Sequence, residues 1–327
     1  MVSQPTTTHA SASTSAPRCL LCRTSDCRPL DALTSAELIR LWAEFGVSFS
    51  AEAVAMIESR DVVALQECQA CGFRFFDPDL AGQSAFYADL QRQMGVYYSA
   101  SRPEFEWALK VAQREGFQSV LDAGCGTGAF LDLARSRGLK TQGLETNPLA
   151  SESCRQKGHP VFSGYLADYS RSHPEARFDL VTAFQVVEHV PDPVSFLREA
   201  AALARPGGGI VIGVPNELGV ARLCPWDPHQ WPPHHISRWR LEDLRTLGPR
   251  AGLTVAATGT DRMFGSHLHY WWTLHNKLAT ALGRKPYAGG KLLPTCLSWV
   301  YRKTGGRHFL PWFGSGIHAF YRTPALT

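Results

Sequence analysis

Three glycines stand at every second position in the stretch SVLDAGCGTGAF, at Gly124, Gly126 and Gly128. The apolar run before them and the helix-like pattern after them indicate a strand, a turn and a helix. Glycine lets the backbone of such a turn approach a charged ligand closely. The spacing differs from the G-x-G-x-x-G dinucleotide fingerprint, and Thr127 follows a glycine instead of the lysine of a phosphate-binding loop. We therefore expect a ligand that is not held by a phosphate.

Glu145 ends the next predicted strand and supplies a second clue to the ligand. In an open α/β sheet, ligands lie beyond the carboxyl ends of the strands, so this side chain should face the same pocket as the glycine turn. A carboxylate at this place can accept hydrogen bonds from both hydroxyls of a ribose. The sequence thus predicts a ribose-containing ligand.

Four side chains in two short stretches could move a proton. Glu188 and His189 follow the fourth predicted strand. His234 and His235 follow the fifth, in WPPHHISRW, where two prolines restrict the loop. Histidine and carboxylate side chains are common general bases in enzymes. Each could equally shape its loop by bonding to neighbouring backbone, so catalytic and structural roles both remain open.

Two Cys-x2-Cys pairs, Cys19 with Cys22 and Cys68 with Cys71, could hold a tetrahedral zinc ion. The helix-like stretch TSAELIRLWAEFG lies between the pairs and would be an insertion in a zinc ribbon. Cys27 is a spare thiol that could replace one ligand. The predicted zinc is structural, and the alternative is four free thiols.

Strands and helices alternate from Ser119 onward, a pattern typical of an α/β protein whose parallel sheet carries helices on both faces. The sequence divides into four parts: a disordered tail (1–17), a zinc-binding segment with a helical insertion (18–80), a linker with an entry helix (81–118) and the α/β domain (119–327). The α/β domain contains a basic, aromatic segment at 259–315, which we interpret as a cap insertion.

The net charge of +4 is unevenly spread. The segment 259–315 carries eight Lys and Arg against one acid. Such a segment suits an anionic membrane surface, an anionic and partly apolar substrate, or a lid with a small core of its own. No window is apolar over the roughly 18 residues of a membrane helix, and the Ser/Thr-rich start differs from a secretory signal. We expect a cytoplasmic protein with room for peripheral membrane contact, and a nucleic-acid partner is not favoured because the charge is confined to one segment.

Four stretches in order resemble class I S-adenosylmethionine (SAM)-dependent methyltransferases: VLDAGCGTG, GLETNP, FDLVTAFQVVEHVPDPVSFLREAAALARPGGGIVIGVPN and PPHHISRWRLEDLRTLGPRAGLTV. The resemblance covers about Val120–Val255 and implies a Rossmann-like, seven-stranded, mostly parallel sheet with its last strand antiparallel. It also implies cofactor-binding residues: Asp122 and Gly124 near the methionine part of SAM, Gly126 and Gly128 in the loop, Glu145 on the ribose, Asp168 beside the adenine, Gln185 near the reactive methyl group, and Tyr98 or Tyr97 closing over SAM. Asp168 could instead be a solvated loop acid, and the tyrosine could be buried against the sheet.

Methyl transfer from a sulfonium is an in-line displacement, in which the protein mainly aligns the acceptor and can remove its proton. The resemblance makes the four acid–base residues candidates for that task. Ubiquinone-pathway O-methyltransferases show E-x-x-E-H where this chain has Gln185-x-x-Glu188-His189. The missing first carboxylate weakens a site for a hard cation, so we expect no catalytic magnesium.

The stretch CQACGFRFFDPD resembles the second knuckle of zinc-binding segments that precede methyltransferase domains in sugar C-methyltransferases. We therefore expect methyl transfer from SAM to a small molecule: a sugar, a glycolipid or a polyprenyl-linked intermediate. Two alternatives stay open. One is O-methylation of a quinone-like or other lipid acceptor at a membrane surface, and the other is a SAM- and zinc-binding partner protein without turnover.

Overall fold

The structure is a computed structural model that describes residues 17–94, 98–219, 222, 227–261 and 315–325. Most of the predicted cap (259–315), nearly all of the predicted tail (1–17) and Tyr97 lie outside the described residues. No helix in the described ranges is long and apolar enough to cross a membrane.

The N-terminal segment consists of three antiparallel strands and two helices: β1 (Cys27–Thr34), α1 (Ser35–Glu44), α2 (Ala51–Ile57), β2 (Val62–Cys68) and β3 (Arg74–Phe75). The predicted helix is α1. Thr34 and Glu37 stand at the spacing of a capping box and form one, in which each side chain bonds to the backbone of the other. The three strands and α2 were not predicted.

Two helices lead into the second part of the chain, α3 (Ser84–Gln93) and α4 (Pro103–Glu115). The predicted entry helix is α4, which Pro103 begins and a left-handed Gly116 ends. In contrast, α3 occupies a stretch for which we expected a linker. Its Phe86 is buried against Trp42 of α1, so α3 packs on the N-terminal segment.

A seven-stranded sheet forms the larger part: β4 (Ser119–Ala123), β5 (Lys140–Leu144), β6 (Val161–Phe162), β7 (Phe178–Phe184), β8 (Ala204–Pro215), β10 (Thr254–Thr260) and β11 (Gly316–Arg322). Their order is β10-β11-β8-β7-β4-β5-β6. β11 runs antiparallel to both of its neighbours, and the other pairs are parallel. The predicted Rossmann-like sheet with an antiparallel last strand is therefore confirmed.

Helices cover both faces of this sheet: α5 (Ala129–Ser136), α6 (Pro148–Gln156), α7 (Leu166–Ser172), α8 (Pro193–Leu203) and α9 (Leu241–Arg250). Successive strand residues point to opposite faces. In β4, Val120 accordingly packs with Leu109 of α4, and Leu121 belongs to the cluster that contains Leu197 of α8. The two apolar clusters hold the helices in place and leave the carboxyl ends of the strands accessible.

A short strand, β9 (Ser237–Arg238), connects the two parts of the chain. It pairs antiparallel with β3 and completes a second sheet in the order β1-β2-β3-β9. Cys19 and Cys68 share an apolar cluster with Trp239 and with the α8 and α9 side chains. The four-stranded sheet therefore combines strands from both sides of the predicted boundary at residue 80.

Candidate active site

One cavity of about 2020 Å³ lies at the carboxyl ends of β4, β5 and β7. The strand order reverses beside β4, which is the usual ligand position in such a sheet. The cavity is lined by most of the predicted cofactor and acid–base residues: Tyr98, Asp122, Gly124, Gly126, Glu145, Asp168, Gln185, Glu188, His189, His234 and His235. Gly128 does not line it. A Cβ at Gly128 would stand 2.6 Å from the Cys154 sulfur of α6, so this glycine lets the turn pack on that helix.

The glycine turn has a left-handed backbone, with φ of 76° at Gly124 and 54° at Gly126. A Cβ at Gly124 would stand 2.5 Å from Val186, and one at Gly126 would stand 2.6 Å from the Tyr98 ring. Both positions therefore require glycine for conformation and for space. The Tyr98 ring lies directly against the turn, at the place predicted for a side chain that closes over SAM.

Glu145 and Asp122 put two buried carboxyl groups beside this turn. Glu145 accepts hydrogen bonds from the backbone N–H groups of Gly126 (2.8 Å) and Asn147 (2.7 Å). Asp122 is 2% exposed and accepts a hydrogen bond from the Thr182 hydroxyl at 2.7 Å. Burial raises the pKa of Glu145 and raises the pKa of Asp122 to about 8. A cationic ligand would stabilise the ionised form of both groups, and SAM carries a sulfonium and an ammonium charge.

Gln185 follows β7 in an unusual conformation, with a positive φ of 56° in a residue other than glycine. Its N–H donates to the Gly213 carbonyl oxygen, and its side-chain amide donates to Glu104 at 3.2 Å. Strained backbone of this kind is concentrated at functional sites. Glu104, which sequence reasoning missed, is buried in the cavity wall. Burial, followed by the nearby Asp261, raises the pKa of Glu104 to about 6.

Asp168 lies at the start of α7 on the rim of the cavity. It accepts a hydrogen bond from the Tyr165 backbone N–H at 3.3 Å and forms an ion pair with Arg171. Its carboxylate is partly exposed. The adenine-flanking role stays a prediction.

Glu188 and His189 lie on a short 3-10 turn, Val187–His189, after β7. Glu188 is 1% exposed, and neither carboxylate oxygen has a hydrogen-bond partner among the described residues. Burial raises the pKa of Glu188 to about 8 and lowers the pKa of His189 to about 4. His189 Nδ1 bonds to the His234 carbonyl oxygen and lies 3.2 Å from the Tyr87 hydroxyl. Because a carbonyl only accepts, Nδ1 carries the proton and Nε2 carries the lone pair.

His234 and His235 reach the same corner from the loop before β9. The ring centroid of His189 lies 4.8 Å from the ring centroid of His234 and 5.0 Å from that of His235. His234 Nδ1 donates to the His229 carbonyl oxygen at 3.0 Å. Burial lowers the pKa of both residues well below the usual histidine value, so both are neutral at pH 7. The structure thus brings all four predicted acid–base residues together.

The four predicted zinc ligands also meet, away from the cavity. The sulfurs of Cys19, Cys22, Cys68 and Cys71 all lie within 4.8 Å of one another. Two pairs are 3.7 Å (Cys19–Cys71) and 3.4 Å (Cys22–Cys68) apart. Tetrahedral zinc with bonds of about 2.3 Å requires sulfur separations of roughly 3.8 Å, so this group fits the metal. Cys27 is outside the group, and its sulfur lies 3.8 Å from the Thr24 carbonyl oxygen.

The chain is similar to the ubiquinone biosynthesis O-methyltransferase of Alkalilimnicola ehrlichii, with 28% identity over 156 residues that cover 41% of this chain and 63% of that protein. It is also similar to the same enzyme of Bordetella pertussis, with 33% identity over 167 residues that cover 45% of this chain and 66% of that protein. The chain therefore spans less than two thirds of the length of these two relatives.

A solved SAM-dependent methyltransferase from Archaeoglobus fulgidus superposes with a TM-score of 0.45 at 19% identity, over 67% of this chain and 94% of that one. A family model described as a methyltransferase domain matches residues 90–258, which is more than half of the 327 residues. With the strand order and the glycine turn described above, this match shows that the chain belongs to the class I SAM-dependent methyltransferase family.

Proposed function

We propose that this protein transfers the methyl group of SAM to a hydroxyl oxygen of a small-molecule acceptor. One observation carries the proposal: a single cavity contains both the glycine turn with Glu145 and the acid–base corner with Glu188 and His189. A SAM-binding partner protein without turnover would not need buried, neutral histidines in the wall of that cavity. The O-methyltransferase relatives favour an oxygen acceptor.

His189 is the best candidate for the general base that accepts the hydroxyl proton of the acceptor. Its Nε2 carries the lone pair and its low pKa keeps the ring neutral at pH 7. As the hydroxyl proton passes to Nε2, the oxygen forms a bond to the methyl carbon and the electron pair of the breaking C–S bond stays on sulfur. The products are the methyl ether and S-adenosylhomocysteine. The glycine turn and Glu145 hold the donor so that this displacement is in line.

Several classes of acceptor are compatible with this reaction. Quinone-like phenols, sugars, glycolipids and polyprenyl-linked molecules all offer a hydroxyl group. The enzyme relatives are named for ubiquinone biosynthesis, so a phenolic, quinone-related acceptor is the first to test. We also propose that the four-cysteine group binds a structural zinc ion, on the strength of its sulfur separations.

The decisive experiment incubates the full chain with methyl-labelled SAM and a panel of acceptors: a catechol, a sugar nucleotide and a short polyprenyl phosphate. We expect label in a methyl ether of one acceptor. His189→Asn should reduce turnover by about 100-fold or more, the usual contribution of a general base, and leave the Kd for SAM unchanged. His173→Asn, a histidine at the end of α7, is the matched control and should retain full activity.

Two outcomes would contradict the proposal. SAM binding without turnover on any acceptor would favour the partner-protein alternative, and label on carbon or nitrogen would show that the acceptor atom is wrong. Activity that chelators abolish and magnesium restores would contradict the expectation of no catalytic magnesium.

A further inference from the structure

Three histidines in the wall of the cavity are arranged like the ligands of one metal ion. We propose that His189, His234 and His235 bind a divalent transition-metal ion, with the carboxylate of Glu188 beside it. This site is separate from the four-cysteine group. The inference concerns metal binding and does not depend on the proposed function.

The ring nitrogens of the three histidines lie close enough together to bind one ion. One nitrogen from each of the three rings can be chosen so that all three lie within 4.8 Å of one another. Nitrogens bound to one ion at about 2.1 Å are roughly 3 to 4 Å apart, so a small adjustment of the rings brings all three onto one ion. His189 follows β7, and the adjacent pair His234 and His235 precedes β9, so only the fold brings His189 to the other two.

Hydrogen bonds to backbone carbonyl oxygens orient two of the three rings. His189 donates its Nδ1–H to the His234 carbonyl oxygen, and His234 donates its own Nδ1–H to the His229 carbonyl oxygen. Metal-binding histidines are usually held in this way, because a backbone carbonyl fixes the tautomer and directs the other ring nitrogen to the ion. Backbone carbonyls therefore already select the Nε2 lone pair of both residues.

The carboxylate of Glu188 lies beside the same histidines. Its Oε1 lies 3.8 Å from His189 Nε2 and 3.9 Å from His235 Nε2. These separations are too long for hydrogen bonds but suit two groups that face the same ion. Both carboxylate oxygens are buried without a hydrogen-bond partner among the described residues, which is costly for a polar group. A metal ion would supply the missing counter-charge.

The ligand set also indicates which metals fit. Imidazole nitrogen suits Zn²⁺, Fe²⁺, Co²⁺ and Ni²⁺, whereas Mg²⁺ prefers a shell of oxygen ligands. Gln185 stands where a hard-cation site would have a further carboxylate, which agrees with a nitrogen-rich site. An ion bound here would occupy the Nε2 lone pair of His189, which is the same lone pair that would accept the hydroxyl proton of the acceptor. If His189 is the general base for methyl transfer, excess Zn²⁺ should therefore inhibit the reaction.

The test is a titration of Co²⁺ into the metal-free full-length chain, followed by visible absorption. A cobalt ion on the cysteines is recognised by thiolate-to-cobalt charge-transfer bands. We expect a second ion with d–d absorption and no added thiolate band. His234→Gln with His235→Gln should weaken this second ion at least about 10-fold without changing the thiolate bands. His229→Gln is the control: its side chain adjoins the cluster but is not one of the three proposed ligands.

The cobalt spectrum of the wild-type chain tests the proposed site even if the double variant folds poorly. Cobalt that binds only with thiolate bands in the wild type would overturn the proposal, and so would a second ion that persists in the double variant. His235→Asn alone provides a milder change, and retained SAM binding shows that the cavity is intact. Loss of the second ion in that variant supports the site independently of any acceptor.

Discussion

Gly126 and Gly138 both have a left-handed backbone, with φ of 54° and 84°, but their surroundings differ. A Cβ at Gly126 would meet the Tyr98 ring at 2.6 Å, and one at Gly138 would meet no atom within 4 Å. Alanine therefore costs about 1 kcal/mol or more of backbone strain at either position. Only at Gly126 does it also disturb the cavity.

We expect Gly126→Ala to weaken SAM binding by about tenfold or more, and Gly138→Ala to leave the Kd unchanged. Titration calorimetry with SAM measures both. Equal losses of affinity in the two variants would show that backbone strain, and not the contact with Tyr98, is responsible.

Asp122 makes stability depend on pH in a direction opposite to that of a salt-bridged acid. Burial raises its pKa from 3.8 to about 8, so between these values the folded chain binds more protons than the unfolded chain. Its contribution is complete below the unfolded pKa and is lost as the pH rises through the folded pKa, at up to about 1.4 kcal/mol per pH unit.

Asp122→Asn keeps an acceptor for the Thr182 hydroxyl but does not titrate. We expect the free energy of unfolding of this variant, measured in urea without SAM, to rise relative to wild type as the pH increases from 5 to 8. A constant difference over that range would contradict the raised pKa.

At the scale of elements, the pairing of β3 with β9 ties the N-terminal sheet to the loop that carries His234 and His235. Arg74 of β3 strengthens this connection: its guanidinium lies 2.7 Å from Glu217, just after β8, and 3.1 Å from Glu67 of β2. Its side chain is 27% exposed. Arg28 also pairs with Glu67, but it is 60% exposed and reaches no residue outside the N-terminal sheet in the described ion pairs.

Arg74→Ala should therefore lower the free energy of unfolding by about 2 kcal/mol, because it removes the closest ion-pair partner of the largely buried Glu217 and leaves only Arg238, at 3.9 Å. Arg28→Ala should cost less than about 1 kcal/mol, as is typical of an exposed pair. Urea unfolding measures both. Equal losses would mean that the connection between the two sheets adds nothing to stability.

At the scale of the whole molecule, the cysteine pairs and the large sheet share one apolar cluster, since Cys19 and Cys68 pack in the cluster that contains Val214 and Leu244. Loss of a metal from the cysteines should therefore lower the stability of the whole protein. Binding of a structural metal contributes directly to folding free energy.

Treatment with a strong zinc chelator should lower the melting temperature by roughly 10 °C in a single transition, which zinc but not magnesium restores. Cys27→Ser, which changes a thiol outside the four-sulfur group, should behave like wild type. Calorimetry that shows two transitions, only one of them sensitive to the chelator, would mean that the N-terminal segment is an independent unit.

The sequence by itself determined the features that depend on local chemistry. Alternating strand and helix patterns define the sheet, and the capping box at Thr34 and the glycine at 116 define helix ends. The glycine turn and Glu145 could be placed in one cavity because parallel strands present their carboxyl ends on the same side.

Only the tertiary structure decided which distant residues meet. Glu188 and His235 are 47 positions apart, yet their polar atoms come within 3.9 Å. The β3–β9 pairing and the burial of Glu104 were likewise absent from the predictions. Such contacts arise from the packing of loops between the two sheets, and no short-range periodicity encodes them. The sequence therefore placed the glycine turn and Glu145 together, and the fold added His189, His234 and His235 to the same cavity.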